Sequence, residues 1–132
     1  MNQQEIFTYI QKQYLTHPDT INKSGYPVTI FKNPRTAAPY AVFYQPAERT
    51  TFMEVQAELD MIGNYIEMYH LAPAKHMDQK HWLAVPLDGS VSDSKVLDLL
   101  DMSYDLVDGQ EEADGETEAD GQATDSTKEE KD

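Results

Sequence analysis

The chain has 132 residues, enough for one hydrophobic core and too few for two ordinary domains. It has no cysteine, which excludes disulfides, thiolate metal sites and a cysteine nucleophile, and suits a reducing compartment. The formal net charge of −14 is uneven: residues 108–132 hold eleven Asp or Glu against two Lys, a net of −9, which leaves −5 on residues 1–107.

The opening stretch, "MNQQEIFTYIQKQ", has no basic region followed by an apolar run, and no segment approaches the roughly 20 apolar residues that span a bilayer, so a soluble, cytoplasmic protein is expected. Asn2 and Glu5 have the spacing of a capping box, and Ile6, Ile10 and Tyr14 then recur every four residues until "THP" stops them. This predicts a helix over 3–15. After Gly25, the segments "YPVTIF", "PYAVFYQ" and "TFMEVQA" are rich in aromatic and β-branched residues and predict three strands, joined by turns at "KNPRTAA" and "PAER".

From Glu58 the period changes. Leu59, Ile62, Ile66 and Tyr69 share one helical face, with Asp60, Asn64 and Glu67 on the other, and predict a second helix that Gly63 weakens slightly. "LAPAKHM" and "HWLAVPLD" predict a further strand pair around "DQK", with Pro73 and Pro86 at edge or irregular positions. Ser92 is a suitable N-cap for a third helix, whose apolar face is Val96, Leu99, Leu100, Tyr104 and Val107. Its other face carries Asp98, Asp101 and Asp105 and reads as solvated. The order α-β(3)-α-β(2)-α, without strand–helix–strand alternation, predicts a two-layer α+β domain over residues 1–107: an antiparallel sheet with helices on one face.

Beyond Val107 the composition becomes "DGQEEADGETEADGQATDSTKEEKD", with Ala as its only apolar type. Such a segment cannot bury enough apolar surface to offset its ordering entropy, so residues 108–132 are expected to be a disordered acidic tail. Its six-residue units lack the alternating carboxylates of a calcium loop.

The segment "AKHMDQKHWLAVPLDGS" sets Lys75, His76, Lys80, His81 and Trp82 within eight positions of an otherwise acidic chain. Lys75 and Lys80 read most simply as solvated charges beside a hairpin. With Lys32, Arg35 and Arg49 they form a basic edge if the intervening turns share one side of the sheet. Trp82 reads as a core aromatic, with an exposed stacking platform as the sharper alternative. His76 and His81 lack a fixed third ligand, His70 or Asp78 being the nearest in sequence, so neither metal nor cofactor is expected. There is no G-x-S-x-G, H-E-x-x-H or phosphate-cradling glycine loop, and a non-enzymatic protein is expected.

His76, Met77, Lys80, His81 and Trp82, then Val85, Leu87, Asp88, Gly89 and Ser90, then Ser103, Tyr104, Leu106 and Val107 together resemble the MmcQ/YjbR family, with its H-M-x-K-K-H-W, V-x-L-D-G-S and S-Y-x-L-V elements. This chain departs from that pattern at Lys75, Asp78, Gln79, Leu83 and Ala84, where the family often has an aromatic residue, Asn, Lys, Asn and Thr. The resemblance implies a two-layer α+β fold similar to secretion chaperones and a non-enzymatic role often described as DNA binding. On that reading Lys75, His76, Lys80, His81, Trp82, Lys32, Arg35 and Arg49 contact nucleic acid. The acidic body opposes it, since such domains are usually basic. The alternative is a protein-interaction module in which a sheet face or edge takes a partner segment.

Overall fold

The structure is a computed structural model that describes residues 1–23, 25–46 and 49–109. The acidic repeat expected to be disordered lies, from residue 110 onward, outside the described residues.

Helix α1, Gln3–Gln13, begins with the expected capping box: Asn2 Oδ1 accepts the Glu5 N–H and Glu5 Oε1 accepts the Asn2 N–H, each at 2.8 Å. It buries Ile6 and Ile10, and its Phe7 ring meets Phe31 and Phe43 edge-on. The strands β1 (Asp19–Lys23), β2 (Tyr26–Lys32), β3 (Pro39–Tyr44) and β4 (Phe52–Gln56) follow. A short 3₁₀ turn, Leu59–Met61, leads into α2, Ile62–Tyr69, which ends at His70 in the left-handed region (φ 58°). Then come β5 (Ala72–Pro73), β6 (Trp82–Pro86) and α3 (Asp93–Asp108), the last capped by Ser92 Oγ accepting the Lys95 N–H.

The six strands form one antiparallel sheet in the order β1-β2-β3-β4-β6-β5. Alternation along the strands divides it into two faces. Phe31, Ala41, Phe43, Met53, Val55, Leu83 and Val85 point inward and are buried with Ile6 and Ile10 of α1 and Val96, Leu99, Leu100 and Val107 of α3. Val28, Val42, Tyr44 and Trp82 gather on the outer face in a second buried cluster with Ala74. The architecture is the expected α+β fold, with two differences in its strands.

β1 was not expected. All five of its residues are exposed, so no burial alternation marks it in the sequence, and backbone pairing with β2 supports it. The strand predicted over "LAPAKHM" shrinks to Ala72–Pro73. From Ala74 the chain leaves the sheet edge and crosses the outer face, because a buried carboxylate there takes up its backbone N–H groups.

Candidate binding site on the outer sheet face

That carboxylate is Glu54, in the middle of β4 and fully buried. Its Oε2 accepts the Tyr44 hydroxyl at 2.6 Å and the Lys75 N–H at 2.6 Å, and its Oε1 accepts the Met77 N–H at 3.1 Å. The His76 N–H lies between the two oxygens at 3.3 and 3.2 Å. A buried charge is costly unless it is fully hydrogen-bonded, and three successive amides plus a phenol meet that need. The bonds fasten residues 75–77 to the sheet.

His76 is thereby laid between two tyrosines. Its Nε2 shares a 2.9 Å hydrogen bond with the Tyr26 hydroxyl, and its ring stands edge-on to Tyr44 with centroids 4.4 Å apart. Burial lowers the His76 pKa from its ordinary value; Glu54 opposes the shift and Lys23 and Lys75 add to it. Tyr44 is pushed far above the usual phenol range, first by burial and then by its bond to Glu54. Both rings are held neutral at physiological pH. The Lys75 ammonium lies 5.4 Å from the Tyr26 ring centroid, and Lys75 lines an open groove of about 660 Å³ with Tyr26, Thr29, Tyr44 and Gln45.

The remaining members of the segment lie elsewhere. His81 and Lys80 are exposed at the far side of the crossing, where the His81 carbonyl accepts the Ala57 N–H at 2.9 Å. His81 Nδ1 bonds Asp78 Oδ2 at 2.5 Å, and the Lys80 N–H bonds Asp78 Oδ1. Burial works against the Asp78 charge, but these bonds outweigh it and hold its pKa below the ordinary carboxylate value. Trp82 is 6 % exposed within the outer-face cluster, so its ring offers no open face for a base.

The basic edge is not assembled. In an antiparallel meander successive turns fall at opposite ends, so the β2–β3 turn with Lys32 and Arg35 is separated by the strand length from the β3–β4 turn with Arg49. Lys32 lies 3.8 Å from Asp19, and Arg35 lies 3.5 Å from Asp108 at the end of α3. Lys75 belongs to the Arg49 end, beside Tyr26 and Gln45, where Lys23 joins it. Sequence reasoning passed over Lys23 and Glu54. Glu54 was legible only as an acid within an aromatic strand.

The third helix also departs from expectation at one position. Asp98 and Asp105 are exposed as predicted, but Asp101 is half-buried and accepts the hydroxyls of Tyr9, at 3.0 Å, and of Tyr14. Tyr14 in turn stacks on Tyr104, so α1 and α3 are tied together through Asp101 and its aromatic neighbours. Among the described residues no group of three or more His, Asp or Glu is placed to hold a metal ion. No described helix is long and apolar enough to cross a membrane.

No family model matches the chain, and no curated protein does. Solved structures do. A Pseudomonas syringae protein is similar in its crystal structure, with a TM-score of 0.71 at 24 % identity over 81 % of this chain and 99 % of that one. Its solution structure gives 0.68 at 26 % identity over 81 % and 93 %. A Deinococcus radiodurans protein with a DUF419 domain matches at 0.67 and 19 % identity, over 83 % of this chain and 81 % of that one. These likenesses concern the fold. DUF419 is the MmcQ/YjbR-like family, which is compatible with the resemblance carried by residues 76–107.

Proposed function

We propose that the chain is a non-enzymatic, MmcQ/YjbR-like binding module of the cytoplasm that takes an extended protein segment along the free edge of β1. The observation that carries this reading is the edge itself. β1 is hydrogen-bonded to β2 on one side, ends the sheet on the other, and leaves all five residues exposed, which is the geometry that strand addition requires. The opposite edge, β5, is two residues long and ends in Pro73, which has no N–H to offer.

Two of the polar groups on the outer face are engaged within the fold: Glu54 is saturated by four donors and His76 Nε2 is bonded to Tyr26, which supports a binding role over a catalytic one at that face. Nucleic acid is the second reading, favoured by Lys23 and Lys75 flanking Tyr26 and His76.

A photo-crosslinking side chain placed at Thr20 or Asn22 of the full chain distinguishes the two in cells. Nuclease-resistant adducts to polypeptide, absent when the same group replaces Gln11 on the exposed face of α1, are expected. Loss of the adducts on nuclease treatment, or no adduct from either β1 position, overturns the protein-binding reading.

A further inference from the structure

We infer that the strand taken up by β1 is β1 of a second copy, the two pairing antiparallel about a twofold axis at Ile21 to make a continuous sheet; this rests on the reading of β1 as a strand-binding edge. The sequence of the strand, Asp19-Thr20-Ile21-Asn22-Lys23, is antisymmetric in charge about its centre. A twofold axis through Ile21 sets Asp19 opposite Lys23 of the second copy and Lys23 opposite its Asp19. Thr20 and Asn22 face each other and Ile21 meets itself. Residues directly opposite in an antiparallel pair project to the same face, so two ion pairs flank one Ile–Ile contact on a single surface.

Other registers lose this match. A slip of two residues either way sets Asp19 or Lys23 against Ile21, and a larger slip sets like charges face to face. Parallel pairing brings each acid beside its copy. Only the Ile21-centred antiparallel register joins opposite charges directly, and a closed twofold arrangement is what such self-complementarity generates.

The surface on which this falls is the apolar one. Ile21 pairs with Val28, a buried member of the outer-face cluster, and is itself 46 % exposed at the edge of that cluster. The pair of isoleucines would therefore join the outer-face clusters of the two copies. Asp19 already has Lys32 at 3.8 Å, which leaves its carboxylate open to a second ammonium from across the axis. Pairing also covers an exposed strand edge that otherwise invites unspecific association. A five-residue strand pair is smaller than a standard interface, so the dimer is weak and reversible.

The test is sedimentation equilibrium of the full chain over a wide concentration range at about 0.15 M salt, where long-range repulsion between acidic chains is screened beyond about 8 Å. A reversible monomer–dimer equilibrium is expected. Lys23→Asp alone and Asp19→Lys alone should each weaken it by roughly tenfold, since both pairs across the axis become repulsive. Mixing the two variants should restore association, because an all-acidic edge then meets an all-basic one. Independently, Ile21→Cys in this cysteine-free chain should give a disulfide-linked dimer on mild oxidation, and Thr8→Cys on α1 should not. A chain that is monomeric throughout, a dimer indifferent to the charge changes, or a mixture that fails to associate overturns the proposal. Crosslinks from Thr20 or Asn22 to a different polypeptide would in that event leave the strand-binding reading standing, and their absence removes both.

Discussion

The Tyr44 hydroxyl donates to the Glu54 carboxylate at 2.6 Å with both side chains buried, joining β3 to β4 beneath a segment that would otherwise cover the sheet only loosely. The same carboxylate accepts three backbone amides from residues 75–77. One side chain thus determines the path of the most conspicuous cluster in the sequence.

Removing Glu54 is accordingly expected to be costly. Glu54→Ala leaves a phenol and three amides without acceptors and opens a cavity, for a loss of at least about 3 kcal/mol in urea unfolding. Tyr44→Phe withdraws one of four donors and leaves the charge partly satisfied, for about 1 to 3 kcal/mol. Equal stability of Glu54→Ala and the wild type contradicts the described bonding.

Trp82→Ala should cost about 3 to 5 kcal/mol, the range for emptying a core aromatic site. Its burial in the outer-face cluster, not any contact with ligand, is the cause. Near-native stability in this variant, read by denaturant midpoint, would show that the ring is not packed as described.

His76 makes stability depend on pH in a predictable direction. Its folded pKa is lowered, by burial first, so folding favours the neutral ring. That contribution is fully present above the unfolded value of about 6.5 and is lost as pH falls through the lower folded value. His76→Gln keeps a polar side chain without the titration. Its urea midpoint should fall less than that of the wild type between pH 7.5 and pH 5, roughly the span over which histidine charges. Parallel pH profiles would remove His76 as the cause.

Much of this arrangement was legible in the sequence because it is local. Asn2 and Glu5 announce the start of α1, Ser92 that of α3, and the spacing of Val96, Leu99, Leu100 and Val107 gives the buried face of α3. β1 was invisible because Asp19–Lys23 buries nothing, and a strand held by backbone pairing leaves no pattern of side chains. Glu54 fits an alternating strand as a solvent-facing acid. That it is buried depends on residues 75–77, more than twenty positions away, crossing above it. Asp101 misleads in the same way, its partners being Tyr9 on α1 and Tyr14 at the C-terminal cap of α1. The separation of Arg35 from Arg49 was available in principle, since consecutive turns of a meander lie at opposite ends.

The most direct measurement is site-resolved amide hydrogen exchange on the full chain at low and high protein concentration. The central claim is that the Lys75–Met77 backbone is fixed structure and that β1 is the binding edge. It predicts slow exchange at Lys75, His76 and Met77 at both concentrations, faster exchange in Glu54→Gln, and protection within Asp19–Lys23 that rises with concentration. Fast exchange at Lys75, His76 and Met77 in the wild type, together with β1 protection that does not change with concentration, would contradict it.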